Sequence, residues 1–327
     1  MTYDLAIIGG GIQGAACAQA ATARGYSVLV LEQYDKPGLA TSQKSSKLIH
    51  GGLRYLESFQ FRLVRECLRE RQILLKNAPH LVKLTPFYIP VYSHTRRPPW
   101  LIRLGLTLYY LFGGKRFKSI PKQQWHQLDH LNTKYLRAVF QYYDAQTDDQ
   151  KLTESVMLSA QSLGADIFYQ AHFIQANCDN DICRISYKHD HHTHEVKARL
   201  LINASGPWVN GVLDKVYPST SQLQTELVLG SHIIVEGQQQ GGVYYLETPQ
   251  DQRAVFVMPW QGNTLIGTTE RHYKGDLHNI VPPKEDIDYL LAVYNYYFTP
   301  LLRHCHVIDA FAGVRVLPSS QHRAFFR

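Results

Sequence analysis

The stretch Tyr3–Gly14, YDLAIIGGGIQG, determines the fold of this chain. Its first six residues form a mainly apolar run suited to a buried parallel strand, and the run leads directly into a GxGxxG turn. In such a turn Gly9 permits the tight change from strand to helix, Gly11 lets the backbone approach a pyrophosphate, and Gly14 lets the helix pack closely on the strand. The helix N-terminus then faces the anion.

The residues after the turn complete a dinucleotide-binding unit. Small residues predict a helix over Ala15–Ala23, and a second apolar strand over Tyr26–Leu31 ends at Glu32. The Glu32 carboxylate is suited to accept hydrogen bonds from the hydroxyls of an adenosine ribose. Together these features predict a cofactor that contains ADP, but they do not distinguish FAD from NAD.

A second block, residues 41–57 with the sequence TSQKSSKLIHGGLRYLE, does distinguish the two cofactors. Here the chain resembles the FAD-dependent glycerol-3-phosphate dehydrogenases, a group within the D-amino-acid-oxidase-like flavoproteins. The resemblance implies FAD and an α/β fold, in which a Rossmann-type FAD-binding domain carries an inserted α+β substrate domain with an antiparallel sheet. It continues in family order through further blocks at Asn203–Trp208, Gly230–His232, Val255–Trp260 with Ile266–Thr269, and Gly313–Arg315.

The resemblance also implies discontinuous domains. The FAD-binding domain is expected to comprise residues 1–80, 145–215 and 300–327, and the substrate domain residues 81–144 and 216–299. Where this chain ends, the family continues with an arginine-containing strand, a segment over the flavin and a helical domain, so the FAD-binding domain is expected to be incomplete. Periodicity predicts helices over residues 61–75, 152–163 and 283–298, and strands over 166–171, 182–188, 195–204, 230–235, 243–247, 254–259 and 263–268.

Most of the expected cofactor contacts come from the resemblance. Ser45, Ser46 and Lys47 are expected to contact the pyrophosphate or to lie beside it, and the pair Gly51–Gly52 to run close to the flavin ring. His50, beside that pair, suits a flavin contact. The expected cofactor-binding residues are Gly9, Gly11, Gly14, Glu32, Thr41, Ser45, Ser46, Lys47, His50, Gly51, Gly52, Ser205 and Gly206.

The reaction that the resemblance implies is oxidation of sn-glycerol 3-phosphate to dihydroxyacetone phosphate, with electrons passed on to a quinone. It requires hydride transfer from C2 to flavin N5, loss of the hydroxyl proton and a firmly held phosphate. Arg54 and Arg315 are candidates for the phosphate because a planar guanidinium pairs well with it. The alternative for each arginine is a structural salt bridge.

His232 is the candidate for accepting the hydroxyl proton or polarising the C2 oxygen, because histidine titrates near working pH. His50 is the rival. Tyr55 and Thr268 are expected to support the substrate with hydrogen bonds. The predicted catalytic residues are therefore His232, Arg315 and Arg54, and the predicted substrate-binding residues are Arg54, Tyr55, Thr268 and Arg315.

Two other functions stay open. One is a different flavin oxidase of the same fold, acting on an amine or a hydroxy acid, which would use an arginine for a carboxylate but gives no reason for the block at residues 41–57. The other is a catalytically inactive FAD-binding fragment that serves as an interaction module.

Composition fits a folded protein with anionic partners. A chain of 327 residues with 45% hydrophobic content can bury two domain-sized cores. Its net charge of +7 suits anionic ligands or surfaces, and no nucleic-acid-binding motif accompanies it. No signal peptide is recognised, so we expect a cytoplasmic protein, and the resemblance implies that it is attached peripherally to the inner face of the cell membrane. Without zinc or redox spacing, all five cysteines are expected to be reduced: Cys17, Cys67, Cys178, Cys183 and Cys305.

Two segments each admit two interpretations. Arg96–Lys118 has six basic residues, no acidic ones and an apolar centre, Trp100–Phe112, that is too short to span a bilayer. It lies either in a membrane interface, which the resemblance favours, or packed on the substrate domain. The histidines of residues 189–194 (HDHHTH) form either a polar hairpin loop, which is favoured, or a transition-metal site. No metal is expected, and a homodimer is a further expectation.

Overall fold

The structure is a computed structural model that describes residues 2–179, 181–219, 221–237, 239 and 241–319. The expected last part of the FAD-binding domain, at residues 320–327, lies outside this range. The helices are α1 (Ile12–Thr22), α2 (Phe61–Asn77), α3 (Pro99–Leu111), α4 (Asp149–Ser162), α5 (Val209–Leu213) and α6 (Lys284–Tyr297). The strands are β1 (Thr2–Ile8), β2 (Val28–Leu31), β3 (Leu48–Ile49), β4 (Val82–Tyr92), β5 (Lys118–Ser119), β6 (Leu136–Thr147), β7 (Asp166–Phe168), β8 (His172–Cys178), β9 (Cys183–His189), β10 (His192–Asn203), β11 (Val216–Tyr217), β12 (Thr225–Val235), β13 (Val243–Glu247), β14 (Ala254–Trp260), β15 (Asn263–Gly267), β16 (Arg271–His272) and β17 (Val307–Pro318).

The first sheet is the predicted dinucleotide-binding sheet. Its strand order is β11-β8-β9-β10-β1-β2-β7, and β1 runs parallel to both β10 and β2. The four residues of β2, VLVL, are all buried, as expected for a central strand with both faces covered. Helices α1 and α4 contribute alanines and Met157 to one core cluster on this sheet. The Rossmann-type fold is thereby confirmed.

The second sheet carries the substrate-domain strands. Its order is β16-β12-β15-β14-β13-β4-β6-β3, with β17 paired to β12 and β5 to β6. The expected antiparallel pairing holds throughout except between β13 and β4, which run parallel. Helix α6 packs against one face, while α2 and α3 pack against the other. A sheet with both faces covered explains the near-continuous apolar sequences of β13 to β15.

The domain bounds stay a prediction, but two strands assigned to the FAD-binding domain pair with strands of the second sheet. Strand β17, which the prediction gives to the FAD-binding domain, pairs along its length with β12 in the second sheet. Strand β3 likewise pairs with β6 of that sheet. Residues 41–52 therefore pass from the first sheet to the second, and the hydroxyl of Thr41 donates to the Val314 carbonyl at 2.7 Å.

The hairpin interpretation of the histidine segment is confirmed. Strands β9 and β10 pair from His189 and His192 onwards, and Asp190 and His191 form the two-residue turn with φ of 48° and 63°. Within the described residues, no group of three histidine, cysteine or acidic side chains is close enough together to hold a metal ion.

The expectation of five reduced cysteines is wrong for one pair. Cys178 and Cys183 form a disulfide. They are partners in register at the end of the β8–β9 hairpin, and this pairing brings two side chains together that sequence spacing alone did not connect. Cys17, Cys67 and Cys305 are free.

Helix α3 combines features of both interpretations of the basic segment. Its residues Leu106 and Tyr109 are buried at 1% exposure, whereas Trp100 and Leu111 are each 68% exposed. One face thus packs on the second sheet and another presents apolar side chains outwards. Among the helices of the described residues, none is long and apolar enough to cross a membrane.

Candidate active site

The glycine turn has the geometry that a pyrophosphate requires. Gly9 has a φ of 106°, and a Cβ there would lie 2.6 Å from the Ala204 carbonyl oxygen. A Cβ at Gly14 would overlap the Gly9 carbonyl oxygen. At Gly11, by contrast, the nearest neighbour of a Cβ would be Ser42 Oγ at 3.1 Å, so this position adjoins open space above the first turn of α1. Gly9 and Gly14 therefore serve packing, and Gly11 leaves room for a ligand.

The N-terminus of α1 is suited to an anion. Its first turn contains no acidic residue, and the backbone N–H of Ile12 donates to Ser42 Oγ at 2.9 Å. The first turn of α1 itself therefore supplies no negative charge to offset the positive end of the helix dipole. Ser42 belongs to the block at residues 41–57, but nothing in the sequence indicated that this serine would contact α1.

Glu32 lies at the carboxyl end of β2, where the prediction requires it. It is 5% exposed, and its carboxylate accepts hydrogen bonds from the backbone N–H groups of Gly10 and, at 2.9 Å, Tyr34. Burial raises the pKa of Glu32, and these backbone hydrogen bonds oppose the rise. Carboxylate lone pairs not used by the backbone suit ribose hydroxyls. The Glu32 carboxylate and the space at Gly11 thus fit the ADP part of a dinucleotide.

The segment that follows the turn is held by an acid that the sequence analysis missed. Ser45 donates to Asp149 through its hydroxyl at 2.7 Å and its backbone N–H at 3.1 Å. The Lys47 ammonium also donates to Asp149, at 2.6 Å. Asp149 begins α4, and nothing in the spacing of the two segments predicts their contact. The expected pyrophosphate contacts of Ser45 and Lys47 stay predictions.

Ser205 and Gly206 lie beside the glycine turn. The Ser205 hydroxyl donates to Asn203 Oδ1 at 2.6 Å, at the carboxyl end of β10. Gly206 has a φ of 55°, in the left-handed region that favours glycine. Because β10 pairs with β1, these residues adjoin Gly9, and their expected cofactor contacts stay predictions.

His232 is enclosed by close neighbours. It is 2% exposed, and its ring stacks on Phe311 with centroids 5.0 Å apart. A Cβ at Gly267 would overlap this ring. Its Nε2 is 2.9 Å from Ser46 Oγ, and its Nδ1 is buried and has no hydrogen-bond partner among the residues that the structure describes. Burial, followed by the charges of Lys47 and Arg315, lowers the pKa of His232 to about 3, so the imidazole is neutral at pH 7.

Three predicted residues meet around Gly230. Gly230 is opposite Gly313 where β12 and β17 pair, and a Cβ at Gly230 would lie 2.7 Å from Thr268 Oγ1 and 3.9 Å from Arg315 Nη2. His232 follows two residues later on the same face of β12. The Arg315 side chain is 44% exposed, and its guanidinium lies 3.8 Å from Glu270. The structure thus brings together Thr268, Arg315 and His232.

Arg54, Tyr55 and His50 form a separate group. The Arg54 guanidinium lies 5.8 Å from the centroid of the Tyr55 ring and makes no ion pair with any residue that the structure describes. His50 Nδ1 accepts from the Gly52 N–H at 3.2 Å. Gly52 has a φ of 74°, which favours glycine. Joint binding of one phosphate by Arg54 and Arg315 stays a prediction.

Comparison with known proteins agrees with this architecture. A family model described as FAD dependent oxidoreductase matches residues 4–326. The chain is 39% identical over 325 residues to a D-erythritol 1-phosphate dehydrogenase of Brucella abortus, covering 97% of this chain and 64% of that protein. It is 39% identical over 319 residues to a glycerol-3-phosphate dehydrogenase of Pseudomonas aeruginosa, covering 96% and 62%.

A solved structure extends the comparison to the cofactor. The glycerol-3-phosphate dehydrogenase of Bacillus halodurans, complexed with FAD, superposes with a TM-score of 0.78 at 28% identity, covering 97% of this chain and 57% of that one. The chain thus spans less than two thirds of the length of these relatives. With a family match over nearly the whole chain, it belongs to the FAD-dependent oxidoreductases of the D-amino-acid-oxidase type, and its cofactor is FAD.

Proposed function

We propose that this chain supports the FAD-dependent oxidation of sn-glycerol 3-phosphate to dihydroxyacetone phosphate, with electrons passed on to a quinone. The observation that carries the proposal is the meeting of Arg315, Thr268 and His232 around Gly230. This group combines a half-exposed cation, a hydroxyl and a neutral imidazole, which are the side chains that a phosphorylated alcohol needs. The name of the Pseudomonas aeruginosa relative supports the choice of substrate.

The arginine and the threonine bind and orient in this proposal. Arg315 holds the phosphate, since its guanidinium is accessible and its contact with Glu270 is long, at 3.8 Å. Thr268 Oγ1 now donates to the Thr269 carbonyl at 3.1 Å, and its remaining lone pairs can accept from a substrate hydroxyl. Arg54, which lies in the separate group with Tyr55 and His50, supplies a second cation.

The histidine acts on the C2 hydroxyl. When bound, FAD supplies the hydride acceptor, N5 of its ring, so the protein has to handle only the hydroxyl proton. In the tautomer that carries its proton on Nδ1, Nε2 of His232 accepts a hydrogen bond, and in this structure Ser46 Oγ lies 2.9 Å from it. A substrate hydroxyl that replaces Ser46 there would receive the same partner. His50, which is exposed, remains the rival proton acceptor.

A second candidate substrate is D-erythritol 1-phosphate. The Brucella abortus relative is named for D-erythritol 1-phosphate, another phosphate monoester of a polyol. A phosphate site at Arg315 serves either substrate, and the two differ by one hydroxymethylene group. The two other functions, an oxidase for an amine or a hydroxy acid and an inactive FAD-binding fragment, need no phosphate site.

Peripheral attachment to the inner face of the cell membrane is part of the proposal, and so is a homodimer. The exposed apolar side chains of α3, with Trp100 at its start and Leu111 at its end, suit the headgroup region of a bilayer. Exposed basic residues flank the helix at Arg96, Lys115 and Arg116. Arg97 is different, because it pairs with Glu57 and, at 2.5 Å, with Glu247.

Flavin reduction in the absence of oxygen tests the function. The purified protein is mixed with glycerol 3-phosphate, D-erythritol 1-phosphate, glycerol, or a set of amino and hydroxy acids, and the visible flavin bands are followed. Bleaching by a polyol phosphate but not by glycerol supports the proposal and identifies the substrate. Bleaching by an amine or hydroxy acid favours the other oxidase, and intact bands with every compound favour the inactive fragment.

A further inference from the structure

A buried ionic group lies behind the turn at His50–Gly52 and has no part in the proposed chemistry. Arg71 of α2, Asp144 of β6 and Tyr109 of α3 are each at most 1% exposed. The Arg71 guanidinium donates to the Asp144 carboxylate, and the Tyr109 hydroxyl lies 2.7 and 2.8 Å from its two oxygens. We call Arg71, Tyr109 and Asp144 the Gly51 clamp. Burying so many polar groups is costly unless they are well paired.

The clamp holds the backbone N–H of Gly51. This N–H donates to Tyr109 Oη at 2.9 Å and to Asp144 Oδ1 at 3.1 Å. A Cβ at Gly51 would overlap the Tyr109 hydroxyl, so the close approach requires glycine. Burial, together with the nearby Asp144 charge, raises the pKa of Tyr109 well above its usual value. The hydroxyl therefore stays protonated and donates to Asp144 while it accepts from Gly51.

The clamp fixes the far end of a segment that begins at the pyrophosphate site. Ser42 contacts the first turn of α1, Ser46 contacts His232, and Gly51 is held by the clamp. A dinucleotide with its pyrophosphate at the first turn of α1 would have its ADP half beside Glu32 and would direct its other half towards this segment.

We propose that Tyr109 and Asp144 are positioning residues that hold the turn at His50–Gly52 in place for the flavin ring of FAD. They act through the Gly51 backbone and touch neither the ADP half nor the substrate. Loss of the clamp should therefore weaken binding of the flavin half alone. The proposal requires FAD as the cofactor but is independent of which alcohol is oxidised.

The test compares FAD with ADP on flavin-free protein. Tyr109→Phe keeps the ring and removes the hydroxyl, and Tyr142→Phe is the matched control. Tyr142 is 3% exposed, its ring centroid lies 5.9 Å from that of Tyr109, and it makes no hydrogen bond to Gly51. For Tyr109→Phe we expect the Kd for FAD to rise roughly threefold to tenfold, which corresponds to one buried hydrogen bond. The Kd for ADP should stay within about twofold.

The control and a second variant decide between positioning and general stability. Tyr142→Phe should leave both dissociation constants within about twofold of the wild type. Asp144→Asn should show the same selective loss for FAD as Tyr109→Phe. Equal weakening of FAD and ADP in the Tyr109 and Asp144 variants would mean that the clamp only stabilises the fold. An unchanged Kd for FAD in a folded Tyr109→Phe protein would also overturn the proposal.

Discussion

The three glycines of the first turn should respond to substitution in different ways, and the difference can be worked out from the structure. At Gly11 a Cβ would lie 3.1 Å from Ser42 Oγ, the flexible end of a side chain that can shift by a few tenths of an ångström. Gly11→Val should therefore fold. It places a side chain where we expect the pyrophosphate, and loss of one or two charge-assisted contacts of about 1.5–3 kcal/mol each predicts a Kd for FAD at least about tenfold higher.

Gly14 provides the contrast, and Gly211 the control. A Cβ at Gly14 would overlap the backbone of Gly9, which cannot move without disturbing the strand-to-helix turn. Gly14→Ala should thus lower the free energy of unfolding by at least about 1–3 kcal/mol. Gly211 in α5 has open space, so Gly211→Val should leave FAD binding unaltered. Titration with FAD and urea unfolding measure the two effects. A folded Gly11→Val protein with wild-type affinity for FAD would refute the reasoning.

The remaining predictions concern the substrate site and the membrane. Arg315→Lys should raise the KM for the polyol phosphate by about 10-fold or more, since lysine lacks the bidentate fork, while His232→Ala should lower the limiting rate of flavin reduction by about 10²–10⁴-fold. Stopped-flow reduction separates these effects, and an unaltered limiting rate in His232→Ala would transfer the role to His50. Because the pKa of His232 is lowered to about 3, its neutral form contributes stability that is present above pH 6.5 and lost as the pH falls towards 3. The free energy of unfolding of His232→Asn, measured by denaturation across that pH range, should fall less than that of the wild type. Replacing Arg96, Lys115 and Arg116 with glutamine should weaken binding to anionic vesicles in a salt-sensitive way, by about 1 kcal/mol per charge, and equal binding to neutral vesicles would indicate that α3 only packs internally.

Local sequence predicted the features that depend on a few consecutive residues. Gly9 and Gly14 were assigned from the turn pattern, and the structure gives each the close neighbour that excludes a side chain. Glu32 follows a four-residue apolar strand and so had to lie at its carboxyl end. Strands β4 and β6 were not predicted from the sequence. In β4 the prolines at 86 and 90 argue against a strand, because proline cannot donate to the hydrogen-bond ladder of a sheet.

Contacts between distant segments were beyond prediction. Asp149 meets Ser45 and Lys47 only because α4 and the segment at residues 41–47 come together when the two sheets assemble. The Cys178–Cys183 pair became evident only once β8 and β9 were in register. No sequence spacing carries such information, whereas a resemblance to a family supplies residue identities without the contacts that hold them.

The electrostatics of the proposed site link phosphate binding to the state of His232. The charges of Lys47 and Arg315 act with burial to keep the imidazole unprotonated. Lys47 is neutralised in part by Asp149 at 2.6 Å, but Arg315 is half exposed and its nearest acid, Glu270, is 3.8 Å away. The field around the histidine is therefore positive, which favours an anionic ligand and disfavours an imidazolium. A bound phosphate would offset that field and raise the pKa of His232, so the substrate itself would make the imidazole a better proton acceptor at the moment when one is needed.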